Sequence, residues 1–460
     1  MKGLLKNPAV WLLLAQASLL LLLLDGPRLK PRRVPDTPGY LEVATATSWT
    51  DALSSYRTLG YPLFLRLTAG PSADLGGIPL IHLLTYLAAV FALWWALARF
   101  TGRPWLALAG ALPLLASRSL AALLNRIQGD MLAVSLSLAT AALLLRFATA
   151  PGSRILGASL AALLFATYQV RPAYLFLVVL IPMAGPVLRL CHEGDFSPAA
   201  LRRLRRWSLV LVGLALGPWL AFSSLRWAAV GQFGLVSFGG FNLIGLSANM
   251  LDEDLVARLP AAPRPLAQGI LDLRRREGLE PLHGKGLTRK WYSQYNDNVW
   301  QRAVPLLEAR LGGRDENAAA INRELSALSR SILLRRPGLY GKWILDGFVY
   351  GFAGAMDDPR IVWPSLALLL TLPFLLLPPA PGEDPAWRPL VGFAFLAGLF
   401  FAGSLGLIAL VEVPFRRYLA TVAVLIPSAL GMMLFEVLRT STLRLRARRS
   451  PARPRKEIAA

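Results

Sequence analysis

The sequence predicts an all-α fold: a polytopic membrane protein with about ten transmembrane helices and a mostly helical outer (periplasmic) segment. Three observations predict it. Apolar residues make up 55% of the 460 and charged residues only 17%, against about a quarter charged in a soluble chain. The apolar residues fall in blocks of about twenty with almost no charge, the length that crosses a bilayer as helix. Lysine and arginine gather between alternate blocks, as they do in cytoplasmic loops. A soluble enzyme, a disordered chain and a β-barrel of short alternating strands are excluded.

The first block, Pro8 to Leu24, follows Lys2 and Lys6. Pro27-Arg28 come after it rather than a small-residue cleavage site, so it reads as an uncleaved first helix and not as a signal peptide. Further blocks lie at 77–99, 104–124, 131–147, 155–170, 172–190, 207–228, 362–380, 389–411 and 417–438. Segment 340–356 is apolar but short and rich in glycine, which suits an interfacial or re-entrant piece. With the N-terminus in the cytoplasm, alternation places 99–103, 146–154, 189–206, 381–388 and the tail 439–460 inside. The tail holds eight basic residues and reads as a solvated extension attracted to anionic lipid. Both termini are then cytoplasmic. The first outer loop, with Arg28, Lys30, Arg32 and Arg33, is the exception to the charge rule.

This divides the chain into a membrane module 1–228 with its outer loop 25–76, a large periplasmic segment 229–361, membrane helices 362–438, and the tail. No internal repeat is visible, which weighs against a transporter of duplicated halves. The net charge of +22 would point to nucleic acid in a soluble chain. Here topology accounts for it, and no nucleic-acid partner is expected. A single cysteine, Cys191, excludes an intrachain disulfide. His82, His192 and His283 are too scattered for a histidine metal site or dyad.

The informative charges are those predicted outside. Arg57, Arg118, Arg126, Arg171, Arg226, Arg416 and Arg417 all fall at outer helix ends or in outer loops, against the positive-inside rule. A phosphate group at the outer surface would balance them through the planar guanidinium fork. Each alone could instead snorkel or pair with a carboxylate. Asp36 lies in Val34-Pro35-Asp36-Thr37-Pro38-Gly39-Tyr40, held extended by two prolines. A carboxylate fixed there suits a general base or a cation ligand, or the turn residue of an Asx-turn. Asp130 reads as an N-cap in a short polar loop with Asn125, Arg126 and Gln128. Glu412 lies beside Arg416 and Arg417, and Pro414 argues against one continuous helix joining them. Gln169-Val170-Arg171-Pro172 is a tight outer turn that fixes Arg171 at the surface. Trp291, Tyr292, Tyr295 and Trp300 have helical spacing, which suits an interfacial aromatic belt or a sugar-stacking or lipid-contacting surface.

Several short patterns recur in order along the membrane part. They are Asp36 with Tyr40, Arg57-Thr58-Leu59-Gly60-Tyr61-Pro62-Leu63-Phe64, Gln128-Gly129-Asp130, Arg171-Pro172, Arg335-Arg336-Pro337-Gly338-Leu339-Tyr340, and Arg417-Tyr418. In this the chain resembles the GT-C glycosyltransferases that use a polyprenyl-phosphate-linked sugar, among them the protein O-mannosyltransferases and the lipid A aminoarabinose transferases. The resemblance is strongest over 1–230. Members often carry paired acids in the first loop, whereas Asp36 is followed by Thr37 and the nearest acids are Glu42 and Asp51. The resemblance implies a multi-pass inner-membrane enzyme with a periplasmic active site. It would move a sugar from a polyprenyl-phosphate donor to a lipid, glycan or protein acceptor among membrane lipids. Asp36 would be the catalytic base, and Arg57, Arg126, Arg171, Arg416 and Arg417 would hold the donor phosphate. Tyr40, Tyr61, Gln128, Asp130, Gln169, Glu412 and Tyr418 would complete the site. A divalent cation is compatible with this set but not required by it.

Rival classes make different demands. A transporter calls for ionisable residues in mid-span, and the blocks are nearly clean. A polysaccharide polymerase or ligase shares many spans and outer arginines but not the first-loop Asp36 or the Gly-Tyr-Pro-Leu-Phe stretch. A third class is a non-catalytic scaffold that binds lipid or a partner.

Overall fold

The computed structural model describes residues 6–24, 26–69, 74–195, 197–279, 288–379 and 386–449, with the side chains of 288–291, 314–316, 416 and 449 outside the description. The described chain is all-helical, and an isolated bridge between Arg32 and Arg126 is its one extended pairing. Six helical stretches are long and apolar enough to cross a membrane: Ile78–Thr101, Asp130–Thr149, Pro172–Glu193, Pro198–Val230, Pro359–Leu376 and Trp387–Val411. Pro8–Leu24, Pro104–Leu115 and Arg154–Val170 are shorter apolar helices.

Ile78–Thr101 and Asp130–Thr149 pack together at the centre of the bundle, and Leu177–Glu193 lies between Trp387–Val411 and Pro198–Val230. The outer helices turn apolar side chains away from the protein. Leu209 and Trp227 on one, and Leu369, Leu370 and Leu376 on another, stand more than half exposed. Apolar surface of that extent suits lipid rather than water.

The block at 104–124 is not one helix. It stops after Leu115, and Ser117 accepts a hydrogen bond from the Leu120 amide to start a new turn. Apolar residues resume beyond Arg118, which hides the break in the sequence. Twelve helical residues rise only about 18 Å, and the chain beyond them runs on in short turns with Leu120, Leu123, Leu124 and Ile127 buried in the protein. Its carbonyls are answered from the neighbouring helix: the Tyr86 hydroxyl donates to Leu114 O (2.9 Å), and His82 Nδ1 lies 3.0 Å from Leu124 O. The block at 417–438 is likewise divided, into Arg416–Val422 and Ile426–Arg449. Pro427 disfavours helix at the residue before it. The second helix carries the first half of the expected solvated tail as helix to Arg449. Buried Glu436 binds Arg439 and Arg103 there and accepts the Ala386 amide. The glycine-rich 340–356 segment lies within a full helix, Pro337–Met356, packed along Trp387–Val411.

The chain between 239 and 335 has a core of its own, built on Phe241, Ile244, Leu271, Val299, Leu325 and Ile332. It meets the bundle at the end of Trp387–Val411. The last carbonyls of a helix have no partner within it. Here Trp343 Nε1 donates to Ala409 O (3.1 Å), the Tyr340 hydroxyl to Leu410 O (2.8 Å) and the Tyr295 hydroxyl to Val411 O (3.3 Å). Three aromatic donors thereby fix the helix end that presents Glu412.

Candidate functional site

At that junction lies a cavity of about 770 Å³, with walls from the bundle, the first loop and the 239–335 unit. Asp36, Arg57, Arg171, Glu412, Arg417 and Tyr418 line it. They come from five separate stretches of chain, so local rules must explain how each arrives.

Asp36 occupies the N-cap position of Thr37–Thr45, yet its side chain makes no capping bond. Thr37 does the local work instead. Its hydroxyl accepts the Val34 amide (2.8 Å) and donates to Ile127 O (2.9 Å), tying this turn to the 125–128 loop. The Asp36 carboxylate is left to face the cavity, 2.9 Å from Arg57 Nη2 and 3.6 Å from Arg417 Nη1. The Asx-turn alternative is thus set aside in favour of an ion pair.

Of the three glycine-bearing patterns, those of Gly60 and Gly129 are packing devices, whereas a Cβ on Gly338 would meet nothing within 4 Å. A Cβ on Gly60 would sit 2.5 Å from the Val170 nitrogen, and one on Gly129 would sit 2.8 Å from Val170 O. Both segments press on the Gln169–Val170 backbone because no side chain intervenes. That contact brings Arg57, Asp130 and Arg171 to one place. Asp130, 1% exposed, forms an ion pair with Arg171. Arg171 and Arg417 lie over the Tyr418 ring, 4.9 and 4.7 Å from its centroid, and Arg57 lies over Tyr40 at 4.8 Å. These cation–π contacts orient guanidiniums without consuming their forks.

Glu412 and Asp36 share the cavity, and their carboxyls are shifted in opposite directions. Burial pushes the Asp36 carboxyl up, but Arg57 and Arg417 outweigh it and hold it below the usual carboxylate range. Burial wins at Glu412, whose carboxyl is raised despite a 2.5 Å hydrogen bond from the Tyr418 hydroxyl and the nearby Arg417 and Arg171. Arg417 in turn donates to the Tyr418 oxygen (2.6 Å). Asp36, Arg417, Tyr418 and Glu412 therefore form one continuous polar chain. Asp36 and Glu412 are the two carboxylates lining the cavity among the described residues, and those residues hold no cluster of three metal-ligating side chains.

Other expected site residues stand back. Arg126 is not on the cavity wall. Its segment pairs with Arg32 through Arg32 N to Asn125 O (2.7 Å) and Ile127 N to Arg32 O (3.0 Å), and its side chain lies within electrostatic reach of Arg32 and Arg417. Tyr61, Gln128 and Gln169 are buried behind the wall, with Tyr61 edge-on to Tyr40 and near His82. Arg226 is a strut: it donates to Leu53 O and Ser237 Oγ and is 1% exposed. Arg118 is exposed away from the site. The Arg416 side chain lies outside the described residues.

Sequence reasoning missed the far wall: Tyr56, Phe238, Phe241 and Asn242. One signal was available. Two glycines between two phenylalanines, Phe238-Gly239-Gly240-Phe241, mark a close backbone approach, and a Cβ on Gly240 would collide with the Asn322 carbonyl. Of the four aromatics at 291–300, Tyr292 packs on Trp343 in the core and Tyr295 caps a helix. Trp300 reaches the cavity, and the Trp291 side chain lies outside the described residues. Comparison of the chain with known protein families, with curated proteins and with solved structures found no match.

Proposed function

We propose that this chain is a membrane glycosyltransferase that moves a sugar from a polyprenyl-phosphate donor to an acceptor at the outer face of the inner membrane. The observation that carries this reading is the meeting of Asp36 with Arg57, Arg171 and Arg417 in one cavity. These four residues are distant in sequence, and the resemblance to GT-C enzymes assigns them to donor and base. The proposed topology has ten crossings, with both termini cytoplasmic. It adds Pro8–Leu24, the broken 104–124 stretch, Arg154–Val170 and Ile426–Arg449 to the six long apolar stretches.

In this reading the donor phosphate lies among the three guanidiniums, and the first isoprene units lie along Leu175, Leu407, Ile408 and Val411. Asp36 takes the proton of an acceptor hydroxyl or amine as that group attacks the anomeric carbon. The bond from that carbon to the phosphate oxygen breaks, and polyprenyl phosphate leaves with the electron pair. Fixed arginines stabilise the charge that develops there. The apo ion pairs give the cycle an order. A phosphate that engages Arg57 and Arg417 withdraws them from Asp36 and makes the carboxylate a better base.

Binding of polyprenyl phosphate and of the parent polyprenol to purified protein in nanodiscs tests the site. The expected result is binding that requires the phosphate and weakens in Arg417→Ala. Equal affinity for the uncharged polyprenol would refute the assignment.

A further inference from the structure

We propose that the wall opposite the charged residues is a carbohydrate platform on which a sugar ring of the acceptor stacks. This rests on the glycosyltransferase reading and narrows its acceptor from lipid, glycan or protein to glycan. The platform is a pile of near-parallel rings. Phe238 and Phe241 stack at 5.2 Å and 13°, Phe241 and Trp300 at 5.7 Å and 26°, and Tyr56 meets Phe238 at 6.3 Å and 28°.

Core packing alone does not account for it. Tyr292 of that unit and Trp343 of the adjoining helix Pro337–Met356 are buried and meet edge to face at 87°. In the pile only Phe241 is buried. It backs Phe238 and Trp300, which line the cavity and are only partly buried, as is Tyr56.

The position of Trp300 is also built at a cost. It lies in a π-helical turn, Asn298–Ala303, a form that is rare and concentrates at functional sites. A buried polar network holds that turn. Asn298 Nδ2 donates to Gly245 O (3.0 Å) and to Asn249 Oδ1 (2.8 Å), and Arg274 Nη1 donates to Asn298 Oδ1 (2.9 Å). Arg274 is itself 0% exposed.

Two amides complete the chemistry. Asn242 and Asn296 line the same cavity. A pyranose has an apolar C–H face rimmed by hydroxyls. An aromatic ring covers the face, and an amide, with both donor and acceptor, matches neighbouring hydroxyls. A lipid chain would need the apolar side without the amides, and that side is supplied by the bundle at Leu407, Ile408 and Val411.

The test is a printed glycan array of hexose, N-acetylhexosamine and pentose oligosaccharides, probed with the full chain in nanodiscs, with polyprenyl phosphate binding measured on the same samples. Wild-type protein is expected to retain a subset of the oligosaccharides. Trp300→Ala should weaken the best of them about tenfold, the scale of one lost aromatic contact, and Trp300→Phe should recover most of it. If Trp300→Ala fails to fold, Asn242→Ala takes its place with the same expected loss. Wild-type protein that binds polyprenyl phosphate but no oligosaccharide overturns the platform, as does undiminished oligosaccharide binding in both variants. Oligosaccharide binding without polyprenyl phosphate binding would leave the platform standing and remove the donor reading.

Discussion

Asp36→Asn should separate catalysis from donor binding in opposite directions. The change keeps size and one hydrogen-bond acceptor but removes the base. General-base assistance is worth about 10²–10⁴-fold, so kcat should fall by that factor, about 3–5 kcal/mol in the barrier. Binding should move the other way. The carboxylate holds Arg57 at 2.9 Å and Arg417 at 3.6 Å, and an incoming phosphate must compete with it. Arg57 and Arg417 stay charged, so the asparagine keeps a hydrogen bond to a charged group and loses the coulombic attraction of the ion pair, about 1 kcal/mol at a partly exposed site, roughly fivefold in donor affinity. Equilibrium binding of polyprenyl phosphate, run beside single-turnover transfer, measures both. A variant that turns over normally makes Asp36 a structural ion-pair residue. A variant that loses both turnover and donor affinity makes it part of the donor's binding surface, and both results refute the base assignment.

The remaining predictions follow from other features of the site. Arg417→Ala should weaken donor binding with little loss of stability, whereas Arg171→Ala strands a fully buried Asp130 and should cost about 3–5 kcal/mol of stability; thermal unfolding of the two variants compares them. Rate requires ionised Asp36 and is lost as pH falls through its pKa, so the acid limb of kcat/KM should lie below the ordinary aspartate range, because Arg57 and Arg417 lower that pKa in the free site. The acid limb of kcat should lie at higher pH, because a bound phosphate engages those arginines, and coincident limbs in the two pH profiles would contradict this. Gly60→Ala places a methyl 2.5 Å from the Val170 nitrogen and should destabilise by about 1–3 kcal/mol, whereas Gly213→Ala, which meets nothing within 4 Å, should be neutral or stabilising in a denaturation series. In a Cys191→Ser background, a cysteine at exposed Ala262 should react with an impermeant thiol reagent from outside intact cells and one at exposed Ala199 should not; the reverse pattern inverts the topology.

The helical, membrane-type fold was legible because long uncharged blocks leave the chain few alternatives. The breaks within blocks were not. Leu120, Leu123 and Leu124 carry the apolar signal past the end of a helix at Leu115, and what permits the break is Tyr86 and His82 on a different helix. Periodicity along one segment has no access to that. The same limit divides the site. Arg57, Arg171 and Arg417 stood out because each is a charge placed against a rule, and Asp36 because two prolines flank it, although the stretch is not extended as expected: Asp36 has helical backbone and Pro38 lies in the first turn of Thr37–Thr45. Arg226 and Arg126 broke the same rule for other reasons, one as a buried strut and one on a segment paired with Arg32, and only their partners distinguish them. Gly60 and Gly129 were noticed as parts of a pattern, but their purpose is steric and needs the Val170 backbone opposite. Trp300 was visible as one of an aromatic set and Phe238-Gly239-Gly240-Phe241 as a close approach, but that Trp300 stacks on Phe241 some sixty residues away leaves no local trace.

The central claim is that this cavity transfers sugar from a lipid phosphate using Asp36. The most direct measurement is release of polyprenyl phosphate from radiolabelled polyprenyl-phosphate hexose, pentose and aminosugar donors, by wild-type and Asp36→Asn protein in proteoliposomes supplied with an oligosaccharide mixture. The account predicts sugar transfer with stoichiometric polyprenyl phosphate release by the wild type, and at least about 100-fold slower release by the variant. Intact donor throughout the wild-type reaction, or equal release by the two proteins, would contradict it.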